Sequence, residues 1–229
     1  MTPEIDPACA EIRRAHDSGS TDRVEEMLYG GGENRHPLQK DAKWILPGIS
    51  SRPWHDPYEH REIEPVVRAF ETAHSAVKAE LTVAREKRRK EFADYEHYLM
   101  RQQNWQARYL FRSGQLVPES AEVVPVAMRV LTTEAVDTGK HCPLLEAHFS
   151  TLLPGAAIKP HCGIRVADEA REWKEGECPL FDYSFEHEAW NHGTRPRTCL
   201  LVDLWHPETT LPERAALTAL VTEIRRLTA

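Results

Sequence analysis

The chain has 229 residues, which is enough for one large domain or for one domain with a helical extension. Its composition, with 41% hydrophobic and 28% charged residues, is that of a soluble globular protein. The formal net charge of −7 argues against general nucleic-acid binding, because neutralising phosphates requires an excess of Lys and Arg.

The cysteines and the N-terminus bear on the compartment. The five cysteines form no Cys-x-x-Cys pair and are odd in number, which favours reduced thiols in the cytoplasm. The first residues include Glu4, Asp6 and Glu11 and lack the basic start and apolar core of a signal peptide. Because no apolar stretch approaches the ~20 residues of a membrane helix, we expect a cytoplasmic protein without a membrane partner.

Residues 1–43 are predicted to be a peripheral N-terminal segment. It contains a short helix at Asp22–Tyr29, which follows Ser20 and Thr21 and ends at a run of glycines. Residues 44–57 are predicted to form an extended arm packed on the main body, because their prolines forbid a regular helix.

The middle of the chain changes from a helical to a strand-like pattern. A helix is predicted over residues 62–89, where apolar side chains recur at spacings of three and four. A strand is predicted over residues 105–111, followed by a turn at Ser113 and Gly114. Residues 125–131 are ambiguous, and a short helix is favoured there.

From residue 145 onward the chain is rich in short strands separated by turn residues. Strands are predicted over residues 148–153 and 200–205, the second of them buried, and a helix opened by Pro212 is predicted over residues 211–227. Short strands after a helical half predict an α+β protein with a mainly β core, built as a β-sandwich or jelly roll with N-terminal and flanking helices.

Two histidines in the strand-rich half have distinctive surroundings. His161 ends an extended Pro-His-Cys-Gly segment, in which Gly163 leaves room beside the imidazole. His187 lies between Glu186 and Glu188, which are residue types that can orient an imidazole, although on a strand they would point away from it. Two neutral imidazoles on facing strands could hold Fe(II), so this pair is a candidate metal site.

The third ligand of such a site is not evident. A two-His-one-carboxylate iron site usually has an acid two residues after the first His, and this position holds Gly163. Water or substrate could take the third position, or Asp168 could reach it. A zinc site would need three protein ligands, and no third is compelling. A hydrolase triad of Ser184, His187 and Asp203 is disfavoured because a Gly-x-Ser-x-Gly elbow is missing.

Arg197 is a candidate for binding an acidic cosubstrate. It follows His187 by ten residues, an even offset that would place both side chains on one face of a continuous strand. A cation there could grip a dicarboxylate. The alternative is a surface arginine in a turn, close to Arg195.

Several blocks in the order of the chain resemble the aspartyl/asparaginyl β-hydroxylase family of Fe(II)- and 2-oxoglutarate-dependent oxygenases. The resemblance covers most of residues 44–210. Its sharpest blocks are Leu46-Pro47-Gly48 with Arg52-Pro53-Trp54, Trp105-Gln106 with Tyr109-Leu110, His148-Phe149-Ser150 with Pro154-Gly155, Pro160-His161-Cys162-Gly163, Trp173-Lys174-Glu175-Gly176, Phe181-Asp182 with Ser184-Phe185-Glu186-His187-Glu188, and Val202-Asp203-Leu204-Trp205-His206-Pro207-Glu208.

The resemblance implies a fold and a division of the chain. The fold would be a double-stranded β-helix, a cupin-like jelly roll, within one oxygenase domain at residues 44–229. That domain would have a helical part at about 60–103, a jelly-roll part at about 104–210 and the C-terminal helix at 211–227.

The resemblance also implies an activity and a site. Iron would be held by His161 and His187 without a protein carboxylate, so that Gly163 becomes a family trait. Arg197 and Ser150 would hold 2-oxoglutarate. The reaction would use Fe(II), 2-oxoglutarate and O2, release succinate and hydroxylate an unactivated C–H bond at the β-carbon. The substrate would be an Asp- or Asn-like residue in a peptide or an amino-acid-derived small molecule.

One departure from the family lies directly after Gly163. The family normally continues with a turn and a strand that supplies an Arg and a His to the cosubstrate or substrate site, whereas here Ile164 follows at once. Arg165 could compensate in charge. Three interpretations stay open: a shortened active enzyme, a degenerate jelly-roll protein that binds a metal or ligand with little or no oxygenase activity, or a natural protein with a segment that this sequence lacks. The sequence indicates no oligomeric state.

Overall fold

The computed structural model describes most of the chain in separate ranges. These are residues 20–29, 36–39, 42, 44–87, 92–94, 105–133, 146–154 and 162–228. His161 lies outside the described residues, as do much of the predicted N-terminal segment and most of residues 88–104. The chain belongs to the mixed class, with helices packed on antiparallel sheets.

The helices follow the apolar periodicity of the sequence. Their bounds are α1 Asp22–Tyr29, α2 Glu64–Lys87, α3 Pro118–Val123, α4 Pro125–Thr133 and α5 Leu211–Thr228. The predicted helices at 62–89, 125–131 and 211–227 are confirmed with small shifts at their ends. The short helix α3 was not predicted. It begins at Pro118, where a fixed φ and the missing N–H suit a first helical position.

The strands form antiparallel sheets. Their bounds are β1 Trp54–His55, β2 Ala93–Asp94, β3 Trp105–Arg112, β4 Gln115–Leu116, β5 Ala147–Leu152, β6 Cys162–Val166, β7 Glu169–Glu172, β8 Leu180–Phe181, β9 His187–Asn191 and β10 Arg197–Val202. A large sheet has the order β10-β5-β3-β2, with β4 paired to β3. A small sheet has the order β7-β6-β9, and β1 pairs with β8.

The main core lies between the large sheet and the helices α2 and α4. One face of β5 contributes Ala147 and Phe149, which are both buried. They pack in the same cluster as Val77 of α2 and Leu131 of α4. Because side chains alternate along a strand, the opposite face of β5 carries His148 and Ser150, which are therefore held away from this core.

The strand β10 lies at the edge of the large sheet. Within the described residues it pairs with β5, and all six of its residues are half-buried. The predicted buried strand at 200–205 was therefore wrong in two respects, since the strand spans Arg197–Val202 and its residues are half-buried.

The small sheet is built around the centre of β6. Gly163 lies opposite Trp190 of β9, and a Cβ added to Gly163 would lie 2.5 Å from Cζ2 of that indole. The space next to Gly163 is thus filled by the ring of Trp190. The hairpin to β7 turns at Ala167, whose φ is +52°.

The N- and C-terminal helices contact each other. Arg23 of α1 donates hydrogen bonds of 2.6 and 2.7 Å to the carboxylate of Glu213 at the start of α5. Glu213 also accepts from the backbone N–H of Thr210, so it caps its own helix. No described helix combines the length and the apolar character needed to cross a membrane.

Candidate functional site

One face of the large sheet carries the predicted cosubstrate residues. Cys199 of β10 pairs with Ser150 of β5, and Arg197 pairs with Leu152. Since alternate residues share a face, Arg197 and Cys199 lie on the same side of the sheet as Ser150 and His148. The structure therefore brings Arg197 and Ser150 to one surface, as the sequence predicted.

The guanidinium of Arg197 is held without a carboxylate. Its Cζ lies 4.5 Å from the centroid of the Trp173 ring, and Nη1 contacts the Cys199 sulfur. Burial raises the pKa of the Cys199 thiol, so this neighbour is neutral and does not balance the charge. Among the described residues no carboxylate pairs with Arg197, and its buried Nε has no hydrogen-bond partner.

Ser150 lies at the floor of the same surface. It is fully buried, and its Oγ accepts a hydrogen bond from the indole Nε1 of Trp105 on β3. The neighbouring His148 is 7% exposed, and its ring lies 5.0 Å from that of Tyr109. Burial lowers the pKa of His148 to about 4, so its imidazole is neutral at physiological pH. The sequence did not predict this neutral imidazole beside the site.

His187 is the first residue of β9, and its side chain is exposed. Its Nδ1 lies 2.8 Å from the carbonyl oxygen of Phe185. Because a carbonyl can only accept, this contact places the proton on Nδ1 and leaves the lone pair on Nε2. That tautomer is the one in which a histidine can ligate a metal through Nε2.

The partner imidazole, His161, lies outside the described residues, so the predicted pair of ligands stays a prediction. The strands β6 and β9 do face each other, with Cys162 opposite Asn191 and Val166 opposite His187. Within the described ranges, no group of three or more His, Cys, Asp or Glu residues is arranged to hold a metal ion. Asp168, the alternative third ligand, is exposed in the turn between β6 and β7.

The prediction that His187 and Arg197 lie on one face of a continuous strand was wrong. The two residues lie on different strands and in different sheets, because a turn at residues 192–196 separates β9 from β10. Asn191 organises this turn. Its side-chain amide donates to the carbonyls of Leu152 and Arg195, both at 2.8 Å, and its oxygen accepts from the N–H of Gly193.

Arg165 on β6 pairs with two carboxylates, those of Glu186 just before β9 and Glu188 on β9. Its Nη2 donates to Glu186 at 3.1 Å, and its Nε lies 3.5 Å from Glu188. These two glutamates therefore bind Arg165 and do not orient His187. The positive charge of Arg165 is balanced, in contrast to that of Arg197.

The hydrolase alternative finds no support in the geometry. Asp203 accepts a hydrogen bond from the N–H of Glu146, Ser184 accepts from Gln39, and His187 is bound to the Phe185 carbonyl. No triad joins the three residues.

A cluster of histidines joins two family-like blocks that the sequence left without a role. The ring of His55 lies 5.3 Å from His60 and 5.4 Å from His206. Burial lowers the pKa of His55 and of His206. The cluster ties the arm that precedes α2 to the segment that follows β10.

The antiparallel sheets, the flanking helices and the half-buried arginine without a carboxylate partner on one sheet face define an α+β protein with a cationic site. The chain belongs to the aspartyl/asparaginyl beta-hydroxylase family, since the profile of that family matches residues 71–164 and 162–207. The two matches meet at residues 162–164, where the sequence departs from the family pattern.

Two relatives show the extent of the likeness. The aspartyl/asparaginyl beta-hydroxylase of Mus musculus is 28% identical over 193 residues, covering 76% of this chain and 26% of that protein. The aspartate beta-hydroxylase domain-containing protein 2 of Homo sapiens is 33% identical over 135 residues, covering 49% of this chain and 36% of that protein. The chain thus spans about a quarter to about a third of the length of these relatives.

Proposed function

We propose that this protein is an Fe(II)- and 2-oxoglutarate-dependent hydroxylase acting on an Asp- or Asn-like side chain of a peptide or an amino-acid derivative. The observation that carries the proposal is the half-buried side chain of Arg197, which pairs with no carboxylate among the described residues and whose buried Nε has no hydrogen-bond partner there. A partly desolvated cation is stabilised by an opposite charge, so a ligand carboxylate is its natural partner.

The side chains of the site are compatible with the proposed roles. Arg197 would bind a carboxylate of 2-oxoglutarate, and Ser150 would contact the same cosubstrate from the adjacent strand. His187, with its proton on Nδ1, fits a metal ligand, and His161 would be the second. Bound Fe(II), together with 2-oxoglutarate and O2, would supply the oxidising power for C–H hydroxylation, and the protein would orient and shield the reacting groups.

The fold and the names of the relatives support the same proposal. Antiparallel sheets flanked by helices are compatible with a double-stranded β-helix within the proposed domain at residues 44–229. The relatives carry names of aspartyl/asparaginyl or aspartate hydroxylases, which supports an enzyme acting on Asp or Asn side chains.

A second candidate function is a ligand-binding module with little or no oxygenase activity. It is favoured by the ion pairs of Arg165 with Glu186 and Glu188, which leave no spare charge there to replace the family's missing Arg. In this case 2-oxoglutarate would still bind at Arg197 without being turned over.

Two measurements test the proposal and separate the candidates. With Mn(II) in place of iron, 2-oxoglutarate should raise the melting temperature, because a ligand that binds only the folded state stabilises it. Under turnover conditions with Fe(II), succinate should form in the wild type and not in His187→Ala. A thermal shift without succinate favours the binding module. Undiminished turnover in His187→Ala contradicts the iron site.

A further inference from the structure

We propose that Trp173 is a positioning and binding residue of the cosubstrate site. Its ring fixes the plane of the Arg197 guanidinium, and its indole N–H is a second donor to the carboxylate that Arg197 binds. This inference rests on the proposed function and extends it to Trp173, for which the sequence analysis predicted no role.

The first observation is the stacking. The Cζ of Arg197 lies 4.5 Å from the centroid of the Trp173 ring. A flexible arginine without a carboxylate partner needs another group to hold its orientation, and an aromatic face can do this through a cation–π contact. The stack therefore presents the donor fork of Arg197 in a fixed direction before any ligand binds.

The second observation is a pair of unused donors. Within the described residues, the indole Nε1 of Trp173 and the Nε of Arg197 are both buried and lack a hydrogen-bond partner. Buried N–H groups are almost always hydrogen-bonded. Two unsatisfied donors on stacked neighbours therefore indicate a shared acceptor that a bound ligand would supply. A carboxylate has two oxygens with several lone pairs and can accept from both.

The third observation is how Trp173 is anchored. Its backbone N–H donates to the carbonyl of Cys162 at 3.3 Å, and Cys162 directly follows the proposed ligand His161. Trp173 thus joins the strand next to the proposed metal ligand to the strand that carries Arg197.

A second Trp–Arg stack, that of Trp54 and Arg171, differs from the stack of Trp173 and Arg197 in the state of its arginine. Arg171 lies over the ring of Trp54 at 4.1 Å, and the indole Nε1 of Trp54 is also buried and unpartnered within the described residues, but the Nε of Arg171 donates to Glu169 at 2.7 Å. The charge of Arg171 is therefore balanced, whereas that of Arg197 is not. The Trp54 stack is a matched control.

The test compares Trp173→Phe, Trp173→Leu and Trp54→Phe with the wild type. Titration of 2-oxoglutarate into the Mn(II)-loaded protein gives Kd, and tryptophan fluorescence recorded during the titration gives a site-specific signal. We expect Trp173→Phe to bind about ten-fold more weakly, because it keeps the ring and loses one charge-assisted hydrogen bond. Trp173→Leu should bind about a hundred-fold more weakly, because the stack is lost as well. The ligand-induced fluorescence change should vanish in Trp173→Phe and persist in Trp54→Phe.

The outcomes separate this inference from the proposed function. If the wild type does not bind 2-oxoglutarate, both fall. If the wild type binds and Trp173→Phe binds equally well, the role of Trp173 falls and the function of Arg197 stands. Should Trp173→Leu fail to fold, the more conservative Trp173→Phe alone decides. Where turnover is measurable, KM for 2-oxoglutarate should rise in Trp173→Phe while kcat changes much less.

Discussion

The side-chain amide of Asn191 donates a 2.8 Å hydrogen bond to the carbonyl of Leu152. Asn191 ends β9, which begins at His187, while Leu152 ends β5 opposite Arg197. This contact joins the small sheet, which carries the proposed metal ligand, to the large sheet, which carries the proposed cosubstrate cation. The buried amide of Asn191 therefore helps to set the relative placement of the two halves of the site.

Replacing Asn191 should destabilise the protein and misplace the site. Asn191→Ala removes two donors and one acceptor and leaves backbone groups unsatisfied, so we expect a loss of about 2–4 kcal/mol in the free energy of unfolding. Urea denaturation followed by circular dichroism measures it. Asn191→Asp keeps the acceptor for Gly193 but places a buried carboxylate oxygen against two carbonyl oxygens, so it should be destabilised at least as much as Asn191→Ala. Equal stability of all three proteins would contradict the role of the amide.

Gly163 should not tolerate a side chain. A Cβ there would lie 2.5 Å from the Trp190 ring and 2.8 Å from the carbonyl oxygen of Arg171. We expect Gly163→Ala to cost about 1–3 kcal/mol of stability through overpacking. In the double variant with Trp190→Leu, part of this penalty should disappear because the ring no longer occupies the space. Additive effects of the two substitutions, measured by denaturant titration, would show that the ring contact does not cause the penalty.

His148 should make stability depend on pH. An unfolded histidine binds a proton near pH 6.5, as a rough value, whereas the buried His148 has a pKa of about 4. Between these values the unfolded state binds more protons, so stability is lost as the pH falls from about 6.5 to about 4, by up to about 3 kcal/mol.

A difference measurement isolates this effect. Asp203 acts in the opposite sense, because burial raises its pKa to about 6 and its protonation favours the folded state. We therefore compare wild type with His148→Asn by urea denaturation at pH 7.5 and pH 5. The decline in stability should be smaller in the variant, and identical declines would count against a buried neutral His148.

Glu80 should stabilise the helix α4 from a neighbouring helix. Its two carboxylate oxygens each accept a 2.8 Å hydrogen bond, from the N–H groups of Val126 and Ala127 at the start of α4. These N–H groups have no partner within the helix, so we expect Glu80→Ala to lose about 1–2 kcal/mol of stability. Glu86→Ala, at an exposed position on the same helix as Glu80, is the control and should change the melting temperature little. A similar small effect for both would contradict the capping role.

The sequence predicted the local structure well where periodicity decides it. The helix α2 follows from apolar residues three and four apart, and β3 and β5 follow from short apolar runs bounded by turns. The shared surface of Arg197 and Ser150 was also expected, through the resemblance to the family.

Features that depend on contacts between distant residues were not predictable. The sequence placed His187 and Arg197 on one face of one strand, because nothing in the turn shows that the amide of Asn191 bonds Leu152 on β5 and Arg195 within the turn. Sequence spacing does not show where the Trp173 ring lies, or that Glu186 and Glu188 bind Arg165. These contacts depend on tertiary packing, and the strand and helix patterns of the sequence do not show which distant residues meet.

The central claim is that Arg197 binds a carboxylate of 2-oxoglutarate, and isothermal titration of 2-oxoglutarate into Mn(II)-loaded protein tests it most directly. The wild type should bind, and Arg197→Gln should lose at least about a hundred-fold in affinity, because a charge-assisted contact to a half-buried cation is removed. Arg171→Gln, which removes an arginine that already has a glutamate partner, should bind like the wild type. Equal affinity of wild type and Arg197→Gln would contradict the proposed role of Arg197.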